Sequence, residues 1–237
     1  RVRSSAASDV YKRQAVDTLT ERNPNPYDGE PYYNLGWSCK MQGKMDEAYD
    51  AFFKSAWNAA WQDAAYYALA QIDTARGKYE SALDKVERSL IRNWHNHKAR
   101  QLKASILRKL NRKEEALELI RESLKIDRFN MGCRFEHYLL TEDQNLLAEM
   151  TGLMRSWEHT FIEYALDFGG AGLYDEAILF LESYLSETRK VYPMIYYALG
   201  YFHACRGEKA HALDYYRKAE KEDHSYCFPN RIEEVLI

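Results

Sequence analysis

The chain has 237 residues, 46% of them hydrophobic, with 33 Lys and Arg against 36 Asp and Glu and a formal net charge of -3 at pH 7. That mild acidity argues against nucleic acid as a partner, since phosphate contacts need a clustered basic face and the sequence shows none. No apolar run reaches the roughly 18 residues that mark a membrane span, and no membrane contact is expected. Cys39, Cys133, Cys205 and Cys227 form no close pair and read as buried thiols of a reducing compartment, which points to the cytoplasm.

In chain order, residues 1–14 come first. Residues 4–14, SSAASDVYKRQ, resemble the translation of a transposase-based sequencing adapter ending in its mosaic end, and the segment is read as an artefact without functional content. It carries Arg1, Arg3, Lys12 and Arg13 against Asp9, so the remainder of the chain is more acidic than the whole. Residues 15–26 follow, with Ala15 to Arg22 reading as the second helix of a lost repeat. Asn23-Pro24-Asn25-Pro26 cannot continue that helix.

Residues 27–130 hold three regular repeats in one 34-residue register. Gly36, Ala70 and Ala104 share that spacing, as do Gly43, Gly77 and Asn111, then Ala48, Ala82 and Ala116, then Phe52, Val86 and Ile120, then Ser55, Ser89 and Ser123. Each unit reads as helix, tight turn, helix. In the second unit Asp63 is placed to cap the first helix, and Gly77 supplies the left-handed residue that ends it. The small residues let the two helices of a hairpin approach closely, while the Phe52 column fills the space between them. A period of this length with these small positions resembles tetratricopeptide repeats. The expected fold is all-α, a right-handed superhelical solenoid of antiparallel helical hairpins.

The register then slips. Ala104 and Ala165 are 61 residues apart, short of two repeats by 7, about two helical turns. Residues 131–157 are therefore a shortened hairpin with Leu146, Leu147, Met150, Leu153 and Met154 as its buried stripe. The third repeat also departs from the pattern: Arg100 and Lys103 stand where large apolar residues are usual, and its core shifts to Ala99, Leu102 and Leu107. Residues 158–226 restore two further repeats, with Ala165 and Ala177, then Gly200 and Ala212, as the small pairs and Gly172 and Gly207 as the turn glycines. Residues 227–237 read as the start of a truncated helix at Arg231, and both ends of the chain read as cut.

The resemblance extends beyond the generic repeat. Pro26-Tyr27-Asp28-Gly29-Glu30-Pro31-Tyr32-Tyr33-Asn34-Leu35-Gly36, Asn58 to Tyr66, and Tyr226 to Glu234 are similar to the repeat region of bacterial domain-of-unknown-function 5107 proteins, over nearly all of Ala15 to Ile237. In that family the repeats follow a β-rich region similar to galactose-mutarotase-like sandwiches, which implies a link to carbohydrate and a bacterial source.

In tetratricopeptide arrays the inner groove is lined by positions 2, 5, 9 and 12 of each first helix, a spacing that keeps them on one face. Carried onto this sequence, the resemblance marks Tyr33, Trp37, Lys40, Tyr67, Gln71, Gln101 and Arg108 as candidate groove residues. Aromatic faces beside amide and guanidinium donors suit a peptide or a sugar, although Tyr and Trp are also common packing residues in repeats. A clamp for a partner's C-terminal carboxylates is disfavoured, because Tyr33 and Trp37 occupy the places where it needs Asn and Lys. His95-x-His97 lies at a repeat junction without a third ligand and reads as a solvated loop. The acidic pairs Asp46-Glu47, Glu114-Glu115 and Asp175-Glu176 sit where negative charge complements a helix start. Gly169-Gly170-Ala171-Gly172 follows a helix and reads as its terminus. No catalytic residue, cofactor or metal ligand is assigned. The leading expectation is a non-catalytic scaffold that binds a protein, or an adjoining N-terminal domain, through its concave face. The alternative is the accessory half of a carbohydrate-active enzyme whose β-sandwich domain lies outside this sequence.

Overall fold

The computed structural model describes residues 2–21, 23, 28–187, 191–231 and 233–237. Among them are thirteen α-helices and two short 3-10 turns, and no strand. They fall into two compact units, Arg1–Ala99 and Arg100–Ile237.

The first unit holds α1 (Val2–Thr20), α2 (Glu30–Met41), α3 (Met45–Ser55), a 3-10 turn (Ala59–Trp61), α4 (Gln62–Ala75) and α5 (Tyr79–Arg92). Helices α2 and α3 form one hairpin, α4 and α5 the next. Each tight turn is closed by a left-handed residue, Gly43 at φ 75° and Gly77 at φ 70°. Two backbone bonds lock each turn: Lys44 N donates to Cys39 O (2.9 Å) and Gly43 N to Lys40 O (3.0 Å), and the Lys78 and Gly77 amides repeat this onto Asp73 O and Thr74 O. This double closure satisfies carbonyls that the helix end would leave orphaned.

The second unit begins within α6 (His97–Lys109) and continues through α7 (Lys113–Ile126), α8 (Met131–Thr141), α9 (Gln144–Met154), α10 (Glu158–Gly170), α11 (Tyr174–Glu187), α12 (Pro193–Cys205), α13 (Lys209–Lys221) and a 3-10 turn (Glu233–Leu236). The same closure recurs around Asn111, Gly172 and Gly207, with φ of 58°, 72° and 81°. All five expected turn residues are therefore left-handed.

Every expected small position is buried. Ala48, Ala70, Ala82, Ala104, Ala116, Ala165 and Ala177 have no exposed surface, and neither do Phe52, Val86, Ile120 and Leu181 of the filling column. The serine column is polar yet fully buried, and its hydroxyls show why. Ser55 Oγ donates to Gly29 O (2.9 Å) and Ser89 Oγ to Asp63 O (2.8 Å), so α3 and α5 are each tied to the start of their own hairpin, whereas Ser123 Oγ donates to Leu119 O (2.7 Å) within α7. A buried hydroxyl is tolerated only when it has such a partner.

The shortened hairpin is α8 and α9, each of 11 residues. Asn130 caps α8 by accepting from Cys133 N, and Asp143 caps α9 by accepting from Asn145 N. Of the expected stripe, Met150 and Met154 are buried while Leu146, Leu147 and Leu153 are half-buried. In the third repeat Ala99, Leu102 and Leu107 are core residues as expected. Arg100 goes with them: it is fully buried, Nη1 donates to Ser123 Oγ (3.2 Å), and burial lowers its guanidinium pKa from the ordinary value.

Four local expectations are corrected. Cys39 and Cys133 are buried as expected, but Cys205 is exposed and Cys227 half-buried. Asp63 lies inside the first turn of α4, where Trp61 is the N-cap without a side-chain bond, and its carboxylate instead accepts from Asn93 Nδ2 (3.0 Å). Asn58 does the capping, one short 3-10 turn earlier, by accepting from Ala60 N. The helix assigned to Ala15–Arg22 is part of a continuous α1 running back to Val2, with Val16 packed on the core of α2 and α3; Arg22 and residues 24–27 lie outside the described residues. Instead of a regular helix starting at Arg231, the described chain end has a bend there and the 3-10 turn Glu233–Leu236, with Ile232 outside the described residues.

Candidate functional site

Five of the seven candidate groove residues meet in the first unit. Tyr33, Trp37 and Lys40 are spaced by four and three along α2, which places them on one face, and Tyr67 and Gln71 stand four apart on α4. Tyr33 and Trp37 pack edge to face (6.4 Å between centroids, 76°), Tyr33 lies against Trp61 at 5.0 Å, and both rings abut Phe52 at 5.5 and 6.0 Å. Burial raises the Tyr33 phenol above its ordinary pKa. The ammonium of Lys40 sits 4.8 Å from the centre of the Trp37 ring and donates to Gln71 Oε1 (2.9 Å), whose amide in turn donates to Tyr67 OH (3.1 Å). The result is a chain of aromatic, cation, amide and phenol. Gln71 is 4% exposed and serves as its hinge, while Trp37, Lys40 and Tyr67 remain half-exposed.

Gln101 and Arg108 belong to the second unit, where Gln101 is buried and Arg108 is half-buried and engaged by two carboxylates. Gln101 is buried against Gly132, where a Cβ on the glycine would collide with the Gln101 amide. Arg108 donates from Nε to Glu136 Oε2 (2.6 Å) and from Nη2 to Glu176 Oε1 (2.8 Å). Glu136, with no exposed surface, also accepts from Ser105 Oγ at 2.6 Å, and Lys109 Nζ lies 2.6 Å from Glu176 Oε1. Burial opposes charge on Arg108, but Glu136 and Glu176 outweigh it and raise its pKa. Burial likewise opposes charge on Glu176, yet the hydrogen bonds from Lys109 and Arg108 hold its carboxyl below the ordinary value. Glu176, expected only to complement a helix start, is thus also a buried counter-ion.

On α10 the equivalent positions 2, 5, 9 and 12 are His159, Ile162, Leu166 and Gly169. There Asn230 Nδ2 lies 3.0 Å from His159 Nδ1, and Arg231 pairs with Glu163 (2.8 Å), Asp167 (3.3 Å) and Glu233 (2.8 Å). The C-terminal segment is therefore seated on α10, a placement that no local pattern in Phe228-Pro229-Asn230 signals. A cleft of about 430 Å³ lies between α1 and the α2/α3 hairpin, walled in part by Arg13 and Glu47.

Residues 67–130 match the family model described as Tetratricopeptide repeat. The whole chain is also similar in structure to a tetratricopeptide repeat protein from Parabacteroides merdae, with 19% identity and a TM-score of 0.57 over 98% of this chain and 90% of that one. The fold is all-α, made of tetratricopeptide-type hairpins. A second likeness, to the APC/C hetero-tetramer Cut9-Hcn1, has 14% identity and a TM-score of 0.51 over 98% of this chain and 46% of that chain. No curated protein matches at a significant level. At these identities the solved structures speak to architecture alone, and that architecture is a repeat scaffold. Among the described residues no helix is long and apolar enough to cross a membrane.

Proposed function

We propose that the chain is a non-catalytic binding scaffold whose working surface is the α2/α4 face of the first unit, and that its ligand is a segment of a protein. The observation that carries this reading is the placement of Lys40, held between the Trp37 ring and Gln71. A cation fixed in this way, beside half-exposed Trp37 and Tyr67, favours a peptide that offers a carbonyl or carboxylate to the ammonium and an apolar side chain to the rings. The Tyr33 and Trp37 rings use part of their surface against Phe52, which disfavours the flat stacking that a sugar ring needs. The second unit's Gln101 and Arg108 support the hairpins rather than this face.

The resemblance to domain-of-unknown-function 5107 proteins adds one specific partner, the β-rich region that precedes the repeats in that family, and a bacterial source, while cysteines read as thiols of a reducing compartment support a cytoplasmic setting. The test is selection from a random peptide display library on the full chain, followed by titration of the selected peptides and of a panel of oligosaccharides. Trp37→Ala and Lys40→Ala should each weaken peptide binding at least tenfold with the circular dichroism spectrum unchanged. Peptide binding that survives both changes would move the site elsewhere, and sugar binding lost in both would support the carbohydrate-linked reading instead.

A further inference from the structure

The turn between α12 and α13 gathers three side chains of metal-binding type. His203 lies in the last turn of α12, Glu208 is the N-cap of α13, and His211 stands in the first turn of α13. Their ligand atoms all fall within 4.8 Å of one another. His203 Nδ1 is 2.6 Å from Glu208 Oε2, and His211 Nδ1 is 3.8 Å from the same oxygen. We propose that these residues bind a single divalent transition-metal ion of the zinc class, which fastens the two helices of this hairpin together.

Two imidazoles and a carboxylate are a donor set that zinc accepts, with water completing a tetrahedron. Ligand atoms at about 2.0–2.1 Å from zinc stand roughly 3.3 Å from one another. The ion would therefore open the shorter of these two separations and close the longer by less than about 1 Å each, and would close the third, between the two imidazole nitrogens and within 4.8 Å, by at most about 1.5 Å, a shift that exposed His211 can make. The surroundings already orient the donors. Arg206 Nη2 holds the other oxygen of Glu208 (3.0 Å) while its Nε rests on Asp175 Oδ1 (3.1 Å), so Oε2 is turned toward both rings. The His203 ring is stacked on Tyr215 (5.2 Å, 16°) and is 8% exposed. Its Nε2 is buried without a hydrogen-bond partner among the described residues, which leaves Nδ1 as the atom through which the ring acts. An outer partner such as Arg206 fixes the direction in which the Glu208 carboxylate presents its lone pair. The backbone contributes as well, since Gly207 at φ 81° and the bond from Glu208 N to His203 O (2.9 Å) bring the N-cap back over the end of α12.

The test is calorimetric titration of the chelator-stripped chain with zinc chloride in the presence of a phosphine reductant, with the thermal midpoint measured in parallel. Binding of about one equivalent and a rise of several degrees are expected. His211→Ala, an exposed change that spares the fold, should weaken binding at least tenfold and abolish the rise. Arg206→Ala should weaken binding about 10–100-fold, as loss of an outer partner does, and His224→Ala should change neither readout. The proposal is overturned if no stoichiometric binding occurs, or if His211→Ala and Glu208→Gln bind zinc as the parent does. Destabilisation by His203→Gln without any zinc binding would make the cluster a hydrogen-bonded latch and would equally overturn it.

Discussion

Within each regular hairpin the filling residue and the small residue opposite it match in size: Gly36 with Phe52 and Gly200 with Tyr216, but Ala70 with Val86, Ala104 with Ile120 and Ala165 with Leu181. Glycine stands wherever the filler is aromatic. A Cβ added at Gly36 would lie 2.7 Å from two ring carbons of Phe52 and 2.9 Å from a third. Carbon atoms pack best at about 3.5–4.0 Å, so Gly36→Ala forces the ring or the helix to move by roughly 0.8 Å. Overpacking of that kind costs about 1–3 kcal/mol. Alanine recovers up to about 1 kcal/mol through its better helix propensity, which leaves a net loss of about 1 kcal/mol. Combining it with Phe52→Leu, which recreates the aliphatic pairing of the other hairpins, should recover part of the loss. The double-mutant coupling should be favourable by about 0.5–3 kcal/mol. The assay is urea unfolding followed by circular dichroism for the parent, both single variants and the double variant, with the slope checked because repeat arrays can depart from two-state behaviour. A stabilising Gly36→Ala, or strictly additive effects, would refute the size-matching argument.

Ala82→Leu should overpack the α4/α5 hairpin, where Ala82 and Ala70 are both fully buried, at a cost of about 1–3 kcal/mol, whereas Lys113→Ala on the exposed start of α7 should stay within about 0.5 kcal/mol in the same denaturation assay. Glu176 is held below the ordinary carboxyl value, so its contribution should be complete above about pH 4.3 and fall away as pH drops through its depressed folded value. The stability gap between the parent and Glu176→Gln should accordingly be wide near pH 7 and narrow progressively below about pH 4.3 in denaturation midpoints; a constant gap would rule out the ionic account. Deleting residues 1–14 should leave the thermal midpoint within about one degree, because the Arg13–Glu47 pair is about half exposed and surface pairs contribute little, while Val16, which packs on the core, is retained; a fall of several degrees would show that α1 must be long to dock.

The repeat register, the left-handed turn residues and the small columns were legible in the sequence because each reflects a short-range requirement. A positive φ selects Gly or Asn whatever surrounds it, as at Gly43 and Asn111, and two helices joined by a two- or three-residue turn must meet at the same positions in every hairpin. The five groove candidates of the first unit could be placed on their helix faces for the same reason of period. Their bonds could not. Whether Lys40 would reach Gln71, or Arg108 would point outward or turn into the hairpin, depends on residues 31, 28 and 68 positions away. The fully buried Glu136 has no local mark at all, since it lies in the hairpin where the register slips. Arg108 is drawn inward because a buried carboxylate without a counter-charge is costlier than an ordered arginine. The His203, Glu208 and His211 cluster was missed for a related reason: its spacing spans a turn, and only the closure at Gly207 folds the two helix ends onto one another. Sequence determined where the chain turns and which face packs; tertiary structure decided which polar groups those packed faces bring within reach, because electrostatic partners are selected by distance in space.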